Sequence, residues 1–494
     1  MRAFYCRVTT RVGEAWWART QAGVLAAIVF CCSVPCSLSF AEAPWRFIVT
    51  CDSRGSDSGI NQIILDELVG EIMSHDVDLV LFPGDLIYGL TVAGPEEFEW
   101  QLRTWVQTMK PVYDANIAVY VCRGNHELGY SAYKPADPND NYVRRWLNVF
   151  GSDAYPDQKL PGNGPAGEGY MTYSATHKNA FVVCLDQYAG VRHQSAHKLN
   201  QSWLDAELAA NTKPHVFVTG HEPAFKALHY DCLGMYPADR DAFWASLKNA
   251  GARTYLCGHD HFYDHARVDD GDDDPDNDIH QYIIGTAGAY PYTWSGTYDG
   301  NNTSYTVHQL YHAKGYGYVL AEVNDLDVTL TWIQRTSNVL TDAGIYEPNE
   351  AWSYTVVPKP IVLSPNGGEN WVAESAHLIT WKTLEGVQID YVMIEYSADY
   401  GRSWQVIGVW ENTGSYLWQT PVVDSNQFLV RISDLQDPSI VDTSDATFTI
   451  FHCLTHLKAD LNGDCYVDFV DLAILASDWL KCANPFDASC SQKR

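Results

Sequence analysis

The chain has 494 residues, 46% of them hydrophobic, which is too long for one ordinary domain and too apolar for a disordered one. Its formal charge of -29 argues against nucleic acid or an anionic membrane as partner. The same charge repels phosphate groups, so any site for one needs a local positive focus.

Residues 1–43 read as a secretion signal. Arg2, Arg7, Arg11 and Arg19 form a basic start, Ala22 to Val34 is an apolar run too short to span a bilayer, and Ala41 and Ala43 offer small residues for cleavage. The expected location is secreted, periplasmic or extracellular, with no membrane attachment after cleavage; a retained anchor is the weaker alternative. Cys6, Cys31, Cys32 and Cys36 fall in this segment. Cys51, Cys122, Cys184 and Cys257 lie in apolar strand-like runs and read as buried thiols, whereas Cys453, Cys465, Cys482 and Cys490 cluster late, where disulfides suit an exported chain.

Residues 44–355 alternate apolar strand-like runs (78–83, 117–122, 180–186, 215–220, 254–258, 281–288) with helical patterns near 60–74, 97–110, 197–210 and 238–250. Such alternation predicts a layered α/β domain whose functional loops gather at the carboxyl ends of its strands. Five such loops carry metal-capable residues: Asp52, Asp85, Asn125 with His126, His221, and His259 with His261. Singly each reads as a turn or structural residue. Together, all following strands of one domain, they read as a metal site.

Carboxylates, an amide and imidazoles make a mixed oxygen and nitrogen set suited to Fe, Mn or Zn. Asp85 is the natural bridge between two cations roughly 3.5–4 Å apart, a pair that can clamp a phosphoryl centre. His259 and His261, two apart, would point the same way from an extended strand. Asn125 and His126 should diverge, one toward metal and one toward substrate.

Asp52, Gly84-Asp85, Gly124-Asn125-His126-Glu127, Gly220-His221 and Gly258-His259-Asp260-His261 resemble, in order and spacing, the five blocks of the calcineurin-like metallophosphoesterases. The resemblance covers 46 to about 335 and implies a four-layer α/β/β/α sandwich. Most members carry Asp-x-His in the first block; here Arg54 stands at the histidine, and a guanidinium does not ligate a cation. Tyr88, three residues after Asp85, is similar in spacing to purple acid phosphatases, in which a tyrosinate replaces that histidine. The resemblance then places Asp52, Asp85, Tyr88 and His261 on a first metal, favouring ferric iron. It places Asp85, Asn125, His221 and His259 on a second, filled by Fe, Zn or Mn. The alternative for Tyr88 is a packed aromatic. Arg54 either forks onto a phosphate oxygen or forms a salt bridge that orients a ligand aspartate. His126 becomes the proton donor to the leaving alcohol, and Glu127 either holds its imidazole or caps a helix. His193, His197, His229 and His265 are left unassigned, one of them a candidate pocket residue. The acidic run Asp269 to Asp278 reads as a solvated hairpin tip.

Residues 358–451 change to short alternating strands punctuated by Gly, Pro, Asn and Asp, predicting an Ig-like β-sandwich with Trp371, Trp381, Trp404 and Trp418 in its core. In 452–494, Asp460, Asn462, Asp464, Asp468 and Asp471 take positions 1, 3, 5, 9 and 12 of an EF-hand-type calcium loop, with the Tyr466 carbonyl at position 7. Cys465 replaces the usual Gly, and Asp471 the usual Glu. The loop resembles a single dockerin repeat, so the tail is expected to bind Ca and to serve as a cap or as an anchor to a cell-surface or cohesin-like partner.

The expected function is a secreted dinuclear metallophosphoesterase, acid phosphatase-like, cleaving phosphate monoesters by metal-bound hydroxide. The alternatives are a phosphodiesterase or nucleotidase of the same kind, or a non-catalytic adhesion module.

Overall fold

The computed structural model describes residues 43–89, 94–131, 141–188, 197–298, 304–357, 359–385, 388–455, 457–462 and 465–478. The secretion-signal reading (apart from Ala43) and His193, Asp464, Cys482 and Cys490 lie outside these. Among the described residues no helix is long and apolar enough to cross a membrane.

Strand β1 (Trp45–Val49) runs into the Asp52 loop, which doubles back as β2 (Arg54–Asp57). Helix α1 (Gln62–Ser74) follows, its first turn closed by the Asn61 side chain accepting from the Ile64 N–H. Next come β3 (Leu79–Phe82), α2 (Pro95–Thr108), α3 (Lys110–Asp114) and β4 (Ala118–Val121). β1 pairs with β3 and β3 with β4, all parallel, so the three loops leave one sheet edge together.

After α4 (Asn141–Phe150), β5 (Tyr173–His177) and β6 (Ala180–Leu185) open a second sheet. It continues through α5 (Gln201–Ala210), β7 (His215–Gly220), α6 (Pro237–Asn249) and β8 (Thr254–Cys257). β6, β7 and β8 are again parallel and fully buried, as helix-covered strands must be. β9 (Tyr263–Asp269), β10 (Ile279–Ile284) and β11 (Thr306–Ala313) widen that sheet. β12 (Gly317–Asn324), β13 (Asp327–Arg335) and β14 (Tyr346–Thr355) return to the first.

The orders are β14-β13-β12-β1-β3-β4 and β11-β9-β10-β8-β7-β6-β5. One apolar core joins the two sheets with α1 and α2, Phe47 meeting Phe217 at 4.7 Å and Tyr263 stacking on Trp332 at 4.2 Å. A second core fills the space between the second sheet, α5 and α6. The four expected helical patterns land on α1, α2, α5 and α6. Helix α4 was not anticipated; its order comes from packing, with Trp146 and Phe150 4.5 Å apart in the core under α2.

The C-terminal region is rich in strands. β15 (Pro360–Ser364), β16 (Asn370–Val372), β17 (Ala376–Thr383), β18 (Tyr391–Ser397) and β19 (Gln405–Glu411) come first. β20 (Ser415–Gln419), β21 (Ser425–Asp434), β22 (Val441–Thr443) and β23 (Phe448–Phe451) follow. They form a three-stranded sheet, β15-β17-β20, and a larger one, β16-β23-β21-β18-β19 with β22 on β21. Trp371, Trp381 and Trp418 enter the shared core; Trp404 is half-buried under the Arg431 guanidinium at 4.2 Å. The region rests on the end of α5, where Lys382 donates to the Leu208 and Ala209 carbonyls at 2.8 and 2.7 Å. Helix α7 (Phe469–Asp478) closes the described chain.

Candidate metal centre

Every metal-capable loop leaves the carboxyl end of a parallel strand: Asp52 after β1, Asp85 after β3, Asn125 after β4, His221 after β7, and His259 and His261 after β8. The two sheets bring these ends together. Asp52, Asp85 and His221 are buried and offer ligand atoms that all lie within 4.8 Å of one another. Asp52, Asp85 and His259 hold left-handed backbone, at φ 63°, 49° and 71°. Such geometry costs on the order of 1–3 kcal/mol per residue and persists where the surroundings demand it. Glycines make room: a Cβ on Gly124 would stand 2.2 Å from Asp85 Oδ1, and one on Gly258 2.3 Å from Asp52 Oδ2.

On one side the groups face each other without a proton between them. His221 Nδ1–H donates to the Pro83 carbonyl at 2.9 Å, and in that tautomer the Nε2 lone pair points inward. That lone pair meets Asp85 Oδ1 at 3.3 Å and Asn125 Oδ1 at 3.1 Å. Asp52 Oδ1 is buried and has no hydrogen-bond partner. Mutually facing acceptors in a buried pocket need a cation, so this set fits a metal ion. Its carboxylates are already ionised. Burial opposes the charge, but the neighbouring imidazoles, His261 first and then His221, hold Asp52 well below the usual carboxylate range. Asp85 is also lowered, against its burial, chiefly by His221 and His126.

The other side differs from expectation. Arg54 Nε lies 3.2 Å from Asp85 Oδ2, and its Nη2 lies 3.1 Å from His261 Nε2. His261 Nδ1–H already donates to the Tyr290 carbonyl at 3.1 Å, so Nε2 carries the ring's lone pair, and the guanidinium donates into it. Tyr292 stacks on His261 at 4.2 Å and clamps the ring there. Thus the imidazole meant for the first metal has no lone pair to spare. A dication about 4 Å from the guanidinium would add about 8 kcal/mol of repulsion at an effective dielectric of about 20. The hairpin fixes Arg54: Gly55 N–H donates to the Gly59 carbonyl at 3.2 Å and Asn61 N–H to the Ser53 carbonyl at 2.8 Å.

Several expectations are corrected here. The hydrogen bond that Tyr88 makes to the centre comes from its backbone. The residue is 46% exposed; its backbone carbonyl accepts from His126 Nδ1 at 2.5 Å, while its ring lies 5.7 Å from the imidazole. Glu127 does not hold the His126 imidazole. It accepts the backbone N–H groups of Gly124, Asp85 and Ile87 at 2.7, 2.9 and 3.1 Å, bracing the β3 loop against the β4 loop. Burial and the Asp85 charge push it up to about 8. His259 and His261 do not share a direction, because the left-handed turn at His259 breaks the extended chain. His259 Nδ1 lies 3.2 Å from Asn125 Oδ1, and His261 Nε2 lies 3.4 Å from Asp52 Oδ1. His126 Nε2 stands 3.9 Å from Asp85 Oδ2, while Asn125 Oδ1 faces His221 and His259.

An outer ring surrounds the centre: His229 is one of the four unassigned histidines, and Asp231 carries no sequence motif. Asp231 Oδ1 lies 3.4 Å from His259 Nε2, and His229 contacts Asp260 and packs 4.8 Å from the His259 ring. Of the other unassigned histidines, His197 meets Glu222 and His265 sits in a buried chain with His280 and Glu350, away from the centre. Asp270, Asp272 and Asp278 also gather, but Lys248 and Arg267 supply their cations.

In the C-terminal loop the carboxylates turn onto their own backbone. Asp471 accepts from Leu461 and Asp468 N–H at 2.6 and 2.8 Å, and Asp460 from Cys465 N–H at 2.8 Å. Cys465 is disulfide-bonded to Cys453, which ties the loop to the end of β23. Cys51, Cys122, Cys184, Cys232 and Cys257 are buried free thiols.

Residues 51–263 match the family model of the calcineurin-like phosphoesterases. No curated protein matches the chain.

Proposed function

We propose that the protein is an exported metal-dependent hydrolase of phosphate monoesters. The carrying observation is the buried meeting of Asp52, Asp85 and His221 within 4.8 Å, inside the segment that matches a phosphoesterase family. The helix-covered pair of sheets supports the four-layer reading of the fold. The two β-sheets of 360–451 support an Ig-like accessory unit, and the loop at 460–471 a calcium-stapled, dockerin-like anchor.

A metal ion held by these residues would supply Lewis acidity toward a phosphoryl oxygen and a water of lowered pKa. The chain's own groups do the rest. Arg54, one-fifth exposed, carries two further N–H donors on Nη1, and these can fork onto a non-bridging phosphate oxygen in an otherwise acidic protein. His126 moves the proton. With Nδ1–H fixed on the Tyr88 carbonyl, Nε2 is the nitrogen that protonates the leaving alkoxide, and the carbonyl steadies the imidazolium before transfer. Burial lowers the His126 pKa, which makes its bound proton easier to give up.

The substitution at Arg54 favours one competing reading, a non-catalytic binding module, because it removes an expected ligand. Assay of the full chain, stripped with chelator and reloaded with Mn, Zn or Fe(II), separates the two. Turnover of p-nitrophenyl phosphate exceeding that of bis-p-nitrophenyl phosphate supports the monoesterase. The reverse ratio points to a diesterase, and turnover of neither ester with any metal overturns the hydrolase reading.

A further inference from the structure

We infer that the centre is mononuclear, with the Arg54 guanidinium standing permanently where a second cation would sit. This rests on the phosphoesterase reading only for its chemical context; the argument itself comes from hydrogen-bond accounting.

A metal site requires unshared lone pairs that converge. The Asp85, Asn125 and His221 side provides them, with Asp52 Oδ1 as a further unpartnered atom. The His261 side does not. Its Nδ1–H is committed to the Tyr290 carbonyl and its Nε2 lone pair to Arg54 Nη2, so both ring nitrogens are used. The second oxygen of Asp85, which would bridge to a first metal, faces Arg54 Nε at 3.2 Å. Tyr88, the substitute ligand that its spacing suggests, is 46% exposed. Arg54 therefore does three things that a second ion would do: it neutralises Asp85, it orients His261, and it presents positive charge to an incoming phosphate. Unlike an ion, it cannot be chelated away.

The arrangement is not an accident of one flexible side chain. Arg54 Nη2 also lies 3.5 Å from the Tyr292 hydroxyl, Tyr292 stacks on His261, and the Tyr292 N–H donates to the His261 carbonyl at 2.8 Å. The guanidinium is thus held in a slot built by the β1 hairpin on one side and the 290–292 loop on the other.

The test is metal stoichiometry, read without any assay of activity. Full-length protein is loaded with excess Mn, Zn or Fe(II), desalted, and analysed by elemental analysis together with its visible spectrum. One ion per chain and no tyrosinate charge-transfer band are expected. Two tightly held ions, or an intense visible band in the iron form, would overturn the inference, as would retention of none. Arg54→His, checked for folding by circular dichroism, restores an imidazole at that slot and should raise the content from one ion to two. A folded variant that stays at one shows that the guanidinium is not what excludes the second ion, and this too overturns the inference. Failure here is distinguishable from failure of the functional reading. Two ions with ester turnover sink the mononuclear inference alone; one ion with no turnover of any phosphate ester sinks the hydrolase alone.

Discussion

On the Asp85–Asn125–His221 side of the centre, acceptor atoms meet at 3.1–3.3 Å with no proton among them; on the Asp52–His261 side, a guanidinium supplies the protons. Both sides use carboxylate and imidazole, and both sit on loops leaving parallel strands. What separates them is one side chain, Arg54. The comparison teaches that a ligand-type census is a weaker guide than an inventory of lone pairs and protons. His261 counts as a ligand by its identity but not by its hydrogen bonds.

The comparison breaks most cleanly at His221. Replacing it with alanine leaves Asp85 and Asn125 without their nitrogen partner. Retained metal should fall to a small fraction of an ion per chain, and kcat/KM for a phosphate monoester should drop at least about 10³-fold. Elemental analysis beside steady-state kinetics decides it; a His221→Ala protein that keeps its ion would mean that the facing acceptors are not the metal site.

His126 sharpens the contrast from outside both halves. Its Nε2 stands 3.9 Å from Asp85 and takes no part in the facing set. His126→Gln should lower kcat by about 10²- to 10³-fold while metal content and KM stay near those of the parent. Loss of metal along with rate would instead make His126 a ligand.

Gly124 gives a smaller, graded effect on the open side. A methyl group there would stand 2.2 Å from Asp85 Oδ1, and the clash is with a buried, ion-facing oxygen. Gly124→Ala should weaken metal retention about 10- to 100-fold, read by competition with a chromophoric chelator, and lower stability by about 1–3 kcal/mol. Unchanged affinity would show that the Asp85 loop yields freely.

Much of this was legible in the sequence. Asp52, Asp85, Asn125, His221, His259 and His261 each follow an apolar run, and strand-then-loop grammar in an α/β domain sends such residues to one edge. The five motif blocks therefore met as expected. What the residue order could not carry was the direction of individual side chains. Tyr88 has the right spacing after Asp85, but spacing does not say whether its phenol or its carbonyl faces inward. Nor did it reveal that Glu127 would spend its carboxylate on three backbone N–H groups. The pairing of Arg54 with His261 spans 207 residues and depends on the Tyr290 carbonyl and Tyr292 ring, which carry no motif. Asp231 and His229 lie in a loop with no strand signal before them.

A second half-buried cation extends the comparison beyond the centre. Arg54 faces a carboxylate, whereas Lys382, on β17, faces the Leu208 and Ala209 carbonyls at the end of α5. Without a counter-charge, burial pushes the lysine down from 10.5 to about 8. Between those two values the unfolded chain binds more protons than the folded one, so this group's contribution to stability rises as pH climbs from about 8 toward 10.5 and is flat below. Discounted for partial exposure, the gain is about 1 kcal/mol. Thermal midpoints of the parent and Lys382→Met, measured from pH 7 to 10, should therefore diverge above pH 8 in the parent's favour. A constant gap across that range would mean that Lys382 stays charged against the two carbonyls, with the helix end alone sufficing where Arg54 uses Asp85.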